Sequence, residues 1–522
     1  MNEKTIFTEI PMIEGCNVTM SETEHYGDGN YITIFEGTQK EDYLEYLSLL
    51  EKKGFEHFVD NGSGLGDCVL TATYRKGKQS VTVTHLIKRN RTYVAVSYDM
   101  KFSDHLLYRE EYTVGNKPGA STKLHMMELW WFGNSFIVQL KNGHFIISDG
   151  GNYPDTPYLL DYLESLVPSG EKPIVEAWFI SHAHTDHCGV LNTFLDNPET
   201  AKRLYVEGIY YSEVGERGYE VEGGARITVA HLRLAAAVLR TTEGKQPLIY
   251  RPLIGQRYYF NDITIDVVHT HEQLLKEEYS SDANDSSTWL MLTIEGQKCL
   301  LTGDGEKGCM LALMNNYDSK YFDVDVMTLM HHGFNTRNEF TDFCTVKTLL
   351  LTVRDVLPVR KANENDYLKS KVQEYFAWGD GTKVLTFPYE VGTFETLPCT
   401  KWIYDDESCR RTQLNIYRYW PEQSKKEIRT LRIFDNGWKK QAEYLLEQIH
   451  RRLPLRETDD GMRIDLVVDE SIEEAFRVRF EIPNGWKITG RTEEMLEQAI
   501  ENAIENAAWT DKGFVMKETD YR

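Results

Sequence analysis

Residues 181–189, SHAHTDHCG, place three histidines and an aspartate within six positions. His182 and His184 are two residues apart, so an extended chain would direct both imidazoles to the same side. Asp186 and His187 follow where the chain turns into a helix, and they would face a neighbouring position. Neutral imidazoles and a carboxylate are ligands that suit zinc, manganese or iron. The stretch predicts metal binding, because imidazoles packed this tightly without a metal would repel one another on protonation.

Two later stretches, each at the end of a strongly apolar run, could complete a site for two metal ions. LLTGD ends in Asp304, and VMTLMHHG contains His331 and His332. Strands of one sheet can present polar ends along a common edge, where these side chains would meet the first cluster. Because side chains alternate along a strand, only one of the paired histidines can point straight at an ion. The other is a candidate for contacting substrate or donating a proton, and the sequence does not decide between them.

These motifs together resemble those of the metallo-β-lactamase superfamily of hydrolases. HAHTDH, TGD and HHG carry the resemblance, and the upstream ISDGG (with Asp149) and FGNS lie where these proteins have their first strands. NDSS at 284–287, before TGD, is similar to the branch that contains the hydrolase domain of DNA-uptake competence proteins and the bacterial phosphorylcholine esterases. The resemblance covers about residues 124–400 and implies an αββα sandwich.

The resemblance also implies a set of metal ligands. Carried over by position, they are His182, His184, Asp186, His187, Asp304 and one of His331 and His332, and Asp285 is added to them as the favoured candidate for a position that the resemblance leaves open. The two histidines that begin HAHTDH would hold the first ion, and the Asp–His pair that ends it would hold the second. Asp304 would bridge both ions, and one histidine of HHG would complete the second. Asp186 and His332 are the residues expected to act in catalysis as well.

The third ligand of the first ion is where this sequence departs from the superfamily pattern. The position that usually holds a histidine falls near Asn284 and Asp285. The nearest histidines, His269 and His271 in VVHTH, lie well before it. An oxygen ligand is slightly favoured, and it would make the site harder and more tolerant of manganese. A histidine that reaches in from the loop is the alternative.

The predicted chemistry is hydrolysis at a pair of divalent ions. Two ions about 3.5–4 Å apart would share a hydroxide, because coordination lowers the pKa of bound water to about 7. That hydroxide would attack the substrate while the ions stabilise the developing charge, and the spare histidine would protonate the leaving group. We expect a binuclear hydrolase of a small-molecule phosphoester or of another ester or amide. Zinc is the first expectation, with manganese or iron as alternatives.

Residues near the motifs are interpreted as supports of the metal site or as parts of the substrate wall. Asp149 is interpreted as an outer partner of the site or a strand-end cap rather than as a ligand. Cys188 is interpreted as a small buried residue at the start of a helix rather than as a nucleophile. Segment 190–260 is expected to form part of the substrate wall. Its candidate substrate contacts are Tyr210, Tyr211 and Arg217.

Two other classes of protein fit the same ligands. One is an iron-containing redox protein of the same fold, but the flanking segments contain no flavodoxin-like phosphate loop and no CxxC pair. The other is a non-catalytic binding protein in which the metal is structural. The otherwise intact ligand set argues against this alternative, and the missing histidine leaves it open. Metal analysis and assays of phosphoester hydrolysis distinguish these classes from the hydrolase.

Composition and charge restrict the partners. The chain has 81 acidic and 58 basic residues, and its longest basic stretch is HLIKRNR at 85–91. Polyanion binding needs a basic surface, so nucleic acid is a disfavoured ligand. No apolar run approaches 18 residues, the N-terminus lacks the features of a signal peptide, and the eight cysteines are scattered. These features predict a cytoplasmic protein without a membrane span, and they leave its oligomeric state open.

The elements that position these residues are predicted to form an α/β (α+β) protein of three domains, as the length of 522 residues suggests. Residues 1–115 would form a small α+β domain in which one helix packs on an antiparallel meander. Residues 120–425 would form the metallo-β-lactamase-fold catalytic domain. Residues 428–522 would form a small C-terminal α/β domain.

Local signals predict particular elements within these domains. TQKEDYLEYLSLLEKKG predicts a helix with a capping box at Thr38–Glu41 and a stop at Gly54. Asn142–Gly143 and Glu295–Gly296 predict the turns of β-hairpins. DYLKSKVQEYFAW predicts a helix between strands. The last helix is expected to begin at Thr492 and to bury one apolar face.

Overall fold

The computed structural model describes most of the chain. The described ranges are 10–15, 17–26, 30–98, 101–129, 133–152, 155–196, 198–214, 247–275, 283–333, 338–352, 370–377, 381–397, 430–452, 456–457, 462–481, 485–505, 507–510, 513–516 and 518–521. Two compact units are present. The first comprises Met1–Glu128, Phe132–Gly150 and Tyr162–Pro398, and the second comprises Leu129–Trp131, Gly151–Asp161 and Cys399–Arg522. The division into three domains stays a prediction.

The N-terminal sheet is antiparallel and carries one helix, as predicted. Its strands are β1 (Thr19–His25), β2 (Tyr31–Glu36), β3 (Glu56–Asp60), β4 (Val69–Lys76), β5 (Gln79–Leu86) and β6 (Arg91–Tyr98), in the order β1-β2-β6-β5-β4-β3. The helix α1 (Lys40–Lys52) buries Tyr43, Tyr46 and Leu50. These three side chains belong to the same apolar cluster as Val81 and Val94 of the sheet.

The capping box of α1 lies one residue further along the chain than predicted. The Gln39 backbone N–H donates to Asp42 Oδ2 at 2.7 Å. Thr38 is buried instead, and its hydroxyl lies 2.8 Å from the hydroxyl of Thr92 in the sheet. Packing against β6 therefore takes the predicted capping residue away from the helix end. Gly54 does stop the helix, with a left-handed φ of +84°.

Two larger sheets follow in the first unit. The second sheet contains β7 (Lys123–Met126), β8 (Ser135–Gln139), β9 (Phe145–Asp149), β10 (Ile174–Ile180), β11 (Tyr205–Val206), β12 (Gly208–Tyr211), β13 (Leu248–Tyr250), β21 (Thr382–Thr386) and β22 (Glu395–Leu397). The third sheet contains β14 (Arg257–Phe260), β15 (Ile263–His269), β16 (Trp289–Ile294), β17 (Gln297–Leu301), β18 (Asp323–Thr328), β19 (Thr345–Leu351) and β20 (Glu374–Ala377). The strand orders are β13-β12-β10-β9-β8-β7-β21-β22, with β11 beside β10, and β14 to β20 in sequence.

Short helices connect these strands. The α-helices are α2 (Thr156–Ser165), α3 (Thr185–Asp196), α4 (Pro198–Ala201), α5 (Lys307–Asn316) and α6 (Asn338–Phe343). The 3₁₀ turns are Ile87–Arg89, Asp104–Leu106, Glu110–Thr113, His271–Leu274, Ala283–Ser286, Ser319–Phe322 and Met330–Gly333. In the part of the chain that the structure describes, no helix is long and apolar enough to cross a membrane.

The second and third sheets pack on each other through aromatic side chains. The ring of Phe179 in β10 meets those of Tyr258 and Phe260 edge to face, with centroids 6.0 Å and 6.3 Å apart. Tyr210 in β12 meets Tyr258 in the same way at 5.3 Å. Such pairs add to the free energy gained from burying large apolar area. Sheets packed face to face with helices between their strands confirm the predicted mixed α/β fold.

Parallel strands bring several polar strand ends to one edge of the fold. Strands β9, β10, β12 and β13 run parallel in the second sheet, and β17, β18 and β19 run parallel in the third. Asp149 ends β9, and HAHTDH follows β10. Asp304 and His331 each lie three residues beyond the end of a strand, β17 and β18 respectively. Ligand sites of α/β proteins usually lie at such carboxyl ends.

Both predicted hairpin turns are confirmed. Asn142–Gly143 lies between β8 and β9, and Gly143 has a φ of +90°. Glu295 and Gly296 join β16 to β17 with φ angles of +50° and +77°. Two consecutive left-handed residues form the turn whose twist matches that of the flanking strands.

The helix predicted from DYLKSKVQEYFAW at 366–378 is wrong over part of its length. Glu374–Ala377 form β20, which pairs in parallel with β19. Residues 366–369 and 378 lie outside the described ranges. The aromatic side chains of Tyr375 and Phe376 suit a strand, and pairing with β19 outweighs the local helical pattern.

The N-terminal sheet shares an apolar core with the third sheet. Ile32 of β2 belongs to the same buried cluster as Met310 and Leu313 of α5. Just beyond β5, the Lys88 ammonium donates to the carbonyl oxygen of Tyr317 at 2.7 Å, next to the end of α5. A cation is favoured there, since the C-terminus of a helix carries partial negative charge.

The second unit contains a sheet and two helices. The sheet consists of β23 (Thr430–Phe434), β24 (Arg456–Glu457), β25 (Met462–Val468), β26 (Phe476–Glu481), β27 (Gly485–Gly490) and β30 (Thr519–Tyr521), and β28 (Ala508–Thr510) pairs with β29 (Gly513–Val515). The helices are α7 (Lys439–Arg452) and α8 (Glu493–Glu505). Thr492 precedes α8, and its hydroxyl accepts the Met495 N–H at 3.3 Å. The predicted apolar face is buried at the five positions that lie in α8, which are Leu496, Ala499, Ile500, Ala503 and Ile504. Ala507, the sixth predicted position, is also buried but lies beyond the end of the helix.

Candidate metal centre

The HAHTDH motif occupies the turn between β10 and α3. Asp186 and His187 lie in the first turn of α3, and His182 and His184 lie before the helix. His182 Nε2 is 2.9 Å from His184 Nδ1, so the two ring nitrogens face each other. The two imidazoles therefore meet at one point as expected, although residues 181–183 form a bend rather than an extended segment.

Four buried side chains from separate elements form one group of potential ligands. His187 Nε2 lies 3.1 Å from Asp304 Oδ2, and His332 Nε2 lies 3.2 Å from the same oxygen. His332 Nε2 is also 3.2 Å from Asp186 Oδ2. The ligand atoms of all four lie within 4.8 Å of one another. Two imidazoles and two carboxylates are an ordinary ligand set for zinc.

Asp304 also belongs to a second group, with the two histidines that precede α3. One ligand atom each of His182, His184 and Asp304 lie within 4.8 Å of one another. His182 Nε2 is 4.0 Å from Asp304 Oδ2. The two groups of candidate ligands, the His182 group and the His187 group, therefore meet at one shared carboxylate.

In the His187 group, the Nδ1 atoms of both histidines have hydrogen-bond partners of their own. Asp149 Oδ2 lies 2.8 Å from His187 Nδ1, and Thr352 Oγ1 lies 2.7 Å from His332 Nδ1. A partner at Nδ1 fixes the ring and leaves Nε2 facing the ligand atoms of the group, which is the usual support of metal-binding histidines. Asp149 thus has the outer position expected for it. Thr352 was not anticipated, and its only signal is that it directly follows a buried strand.

Two serines support the His182 group. Ser181 Oγ and Ser287 Oγ lie 3.1 Å and 3.3 Å from His182 Nδ1. Ser287 Oγ also accepts the Asp304 backbone N–H at 3.1 Å. One hydroxyl therefore contacts both the first histidine of the motif and the shared aspartate. The sequence placed Ser287 in NDSS but did not predict this contact.

The HHG segment reaches the site through an unusual backbone conformation. His331 and His332 both have left-handed φ angles, +44° and +53°. Such angles are uncommon outside glycine and are characteristic of functional sites. The pair sends the two rings in different directions, because His332 joins Asp304 while His331 Nδ1 lies 2.6 Å from Glu306 Oε1.

Neighbouring charges outweigh burial in the His187 group. Burial lowers the pKa of His332, but Asp304 and Asp186 more than offset this and raise the pKa to about 9. Burial also lowers the pKa of His187 by disfavouring its protonated form, but the surrounding carboxylates outweigh this and raise the pKa well above the usual value. Burial lowers the pKa of His182 well below its usual value, and neighbouring imidazoles lower it further. A metal ion bound by the His187 group would therefore compete with the protons on His187 and His332.

Two buried polar atoms indicate that these residues fit a metal ion. Among the described residues, Asp304 Oδ1 has no hydrogen-bond partner. His187 Nε2, although 3.1 Å from Asp304 Oδ2, makes no hydrogen bond of acceptable geometry there. Buried polar groups without partners cost free energy. A cation bound by these two side chains would satisfy both atoms.

The two oxygen candidates for the third ligand lie at the start of α5. Asp285 Oδ1 accepts the Glu306 backbone N–H at 3.0 Å, and Asn284 Nδ2 lies 3.4 Å from Glu306 Oε1. Burial raises the pKa of Asp285 to about 6 despite its backbone hydrogen bonds. Asp285 belongs to no group of potential ligands among the described residues. The Asp285 carboxylate instead accepts a hydrogen bond at the N-terminus of a helix.

Each of the two histidine candidates also has one ring nitrogen engaged elsewhere. His269 Nδ1 lies 3.0 Å from the carbonyl oxygen of Ser287. His271 Nε2 lies 2.9 Å from the hydroxyl of Tyr26 in the N-terminal part of the chain. Neither belongs to a group of potential ligands within the described ranges. The structure thus brings six of the eight predicted ligands into the two groups that share Asp304. His331 lies beside them, with Nε2 4.0 Å from Asp304 Oδ2, and Asp285 lies outside both groups.

The candidate wall residues are mostly internal. Tyr210 and Tyr211 are buried, and the Tyr210 hydroxyl lies 2.6 Å from Ser103 Oγ. Arg217 lies outside the described residues. Cys188 is buried in α3, with its sulfur 3.5 Å from the Ala183 carbonyl oxygen, as suits a structural residue.

Asp149→Asn is expected to weaken zinc binding by the His187 group about 10–100-fold. Asparagine keeps an oxygen for the Ser181 N–H, which Asp149 Oδ1 accepts at 2.8 Å. It removes the charge that holds the proton on His187 Nδ1. Competition with a fluorescent zinc chelator measures the change, and Asp323→Asn on the surface is the matched control. Unchanged affinity would show that Asp149 does not orient the histidine.

A family model matches the part of the chain that carries these residues. The model is described as the metallo-beta-lactamase superfamily, and it matches residues 129–335. This segment is therefore similar to metallo-β-lactamase superfamily domains, and both ligand groups lie within the matched range. Comparison with curated proteins gives no match.

Solved structures show similarity at low sequence identity. A Cronobacter sakazakii metallo-β-lactamase with a HARLDQ motif is 12% identical, with 50% of this chain and 94% of that chain covered and a TM-score of 0.27. Tm1679, described as a metal-dependent hydrolase of the β-lactamase superfamily, is 11% identical, with 49% and 95% covered and a TM-score of 0.29. Unliganded PDE1 from yeast is 8% identical, with 49% and 98% covered and a TM-score of 0.31.

Proposed function

We propose that this domain is a binuclear metal-dependent hydrolase that cleaves a small-molecule phosphoester or another ester or amide. The observation that carries the proposal is the meeting of two ligand groups at Asp304. Its motifs resemble the competence-protein and phosphorylcholine-esterase branch of the superfamily. A pair of ions sharing a carboxylate suits metal-assisted hydrolysis, and the ligand types favour zinc, with manganese or iron as alternatives.

Each chemical role in this proposal is assigned to a described side chain. The two histidines before α3 would hold one ion, and Asp186, His187 and His332 would hold the other, with Asp304 common to both. When bound, the ions would supply an activated water and positive charge for the anion that develops in hydrolysis. Asp149 would keep His187 oriented, and burial of the His187 group would limit competition from bulk water.

Hydrolysis of bis-p-nitrophenyl phosphate tests the proposal. We expect activity with added zinc or manganese, loss of activity on chelation, and recovery on readdition of metal. His184→Ala and Asp186→Ala should each lower kcat/KM by about 100-fold or more, since each removes a ligand whose ion is worth several kcal/mol in the transition state. His57→Ala and Asp60→Ala, on the exposed part of the N-terminal sheet, are the matched controls and should retain full activity.

Metal analysis of protein purified without added metal separates this proposal from its rivals. Zinc or manganese together with hydrolysis would support it. Bound iron with visible absorption and no hydrolysis would contradict it and favour a redox protein. Bound zinc with no hydrolysis of a panel of phosphoesters, carboxylic esters and amides would contradict it in favour of a non-catalytic binding protein.

A further inference from the structure

We propose that His331 supplies the third protein ligand of the first ion and that Glu306 holds it in position. The inference rests on the proposed two-ion function and deepens it. It replaces both alternatives for this ligand, the oxygen at 284–285 and the histidine at 269 or 271. It also separates the roles of the paired histidines in HHG, since His332 belongs to the His187 group.

The first step is the arrangement of imidazoles around the shared carboxylate. Four Nε2 atoms surround Asp304 Oδ2, at 3.1 Å for His187, 3.2 Å for His332 and 4.0 Å for both His182 and His331. The two short distances belong to the His187 group. The two equal, longer distances belong to His182 and His331. His331 therefore has the same spacing from Asp304 as an established member of the His182 group.

The second step is the backbone that separates the paired histidines. Consecutive left-handed residues place the rings of His331 and His332 at an interplanar angle of 67°, with centroids 5.9 Å apart. Strand alternation would have turned one of the two rings away from the site. The left-handed pair instead lets both Nε2 atoms approach Asp304 from different sides. The strained conformation is therefore explained if both histidines serve ions.

The third step is the support of the His331 ring. Glu306 Oε1 lies 2.6 Å from His331 Nδ1, just as Asp149 Oδ2 lies 2.8 Å from His187 Nδ1. A carboxylate at Nδ1 fixes the tautomer that leaves Nε2 unprotonated and makes that nitrogen a better ligand. The carboxylate of Asp285 accepts the Glu306 backbone N–H at the start of α5.

The ring of His331 must move to complete the site. His331 is outside the group in which the ligand atoms of His182, His184 and Asp304 lie within 4.8 Å. It is partly exposed, with 23% of its side chain accessible, whereas His182 is fully buried. We therefore expect the ring to rotate inward when the ion binds. Three imidazoles and a carboxylate would then favour zinc over manganese at this position.

Metal binding by variants tests the inference independently of activity. Protein stripped of metal is titrated with Co²⁺, and the visible absorption and the bound metal per chain are recorded. Wild type should bind two ions. His331→Ala should bind one tightly and the other about 100-fold or more weakly, and Glu306→Gln should weaken that same ion about 10–100-fold. Because glycine adopts left-handed φ angles freely, His331→Gly should behave like His331→Ala if loss of the ligand is responsible.

Asp285→Asn and His269→Gln are the matched controls, since each alters a rejected candidate. Both should bind two ions with nearly wild-type affinity, and circular dichroism should show that every variant is folded. Two ions bound with unchanged affinity by His331→Ala would overturn the inference and leave the two-ion function intact. Loss of an ion in Asp285→Asn but not in His331→Ala would overturn it in favour of the oxygen ligand. A wild type that binds one ion would contradict the proposed function and this inference together.

Discussion

Asp304→Asn is expected to lower hydrolytic activity about 1000-fold or more and to weaken the binding of both metal ions. Among the described residues, Asp304 is the side chain common to both groups of candidate ligands. Asparagine keeps the volume and one oxygen but removes the negative charge that balances the cations. A loss of about 4 kcal/mol of transition-state stabilisation corresponds to about 1000-fold in rate. Metal content by mass spectrometry and kcat/KM for bis-p-nitrophenyl phosphate measure the two effects.

Asp323→Asn makes the same chemical change at an exposed carboxylate and should leave both quantities unchanged. The two measurements on Asp304→Asn must fall together, because the activity depends on the ions that the carboxylate binds. A variant that retains two tightly bound ions and more than about a tenth of the activity would show that Asp304 is not shared.

Gly305→Ala is expected to destabilise the first unit by about 2–3 kcal/mol and to reduce its metal content. A Cβ atom at position 305 would lie 2.3 Å from Trp289 Nε1 and 2.8 Å from Cys309 Sγ. Trp289 is fully buried, so its ring has little room to move away. The overpacking then displaces the segment that carries Asp304. Urea unfolding and zinc content of the purified variant measure the effect.

Gly170→Ala is the control for this glycine substitution. Its added methyl group meets nothing within 4 Å, and its φ of +89° means that only backbone strain is introduced, about 1 kcal/mol. Zinc content should stay at the wild-type level in that variant. Equal stability losses in the two variants would indicate that the Trp289 ring yields to the added methyl group.

The part of the site that was predictable from the sequence depends on local geometry. His182, His184, Asp186 and His187 lie within one short turn, so their mutual placement follows from the strand before them and the helix after them. Asp304 was predictable because it follows an apolar hairpin whose turn residues are unambiguous. In these cases the chain near each residue determines where its side chain can point.

The role proposed for His331 as third ligand was not predictable, because it depends on backbone conformation and on contacts between distant segments. Strand alternation excluded one of His331 and His332 from the metals, whereas two left-handed residues allow both to approach Asp304. The partner of His331, Glu306, is 25 positions away in sequence. Asp285 was chosen by counting along the hairpin, but packing placed its carboxylate at the start of α5.

The same limit applies to the fold. The capping box of α1 begins at Gln39 instead of Thr38, because the Thr38 hydroxyl contacts that of Thr92 in the sheet. Part of a predicted helix forms β20 instead, because it pairs with β19. Both errors arise where a local preference of about 1 kcal/mol competes with packing. Hairpin turns were predicted correctly, since the left-handed φ of Gly296 is set by the turn itself.

The core shared by the N-terminal sheet and α5 determines how small an active fragment can be made. A fragment limited to residues 129–335, the range that matches the family model, would lack β1 to β6. It would expose Met310 and Leu313 to water and remove the Lys88 contact beyond the end of α5. Glu306 and Asp285 are hydrogen-bonded at the other end of α5. Destabilising this helix would therefore disturb the positions of the candidate metal ligands. The smallest fragment that binds metal as the whole chain does should therefore begin before β1.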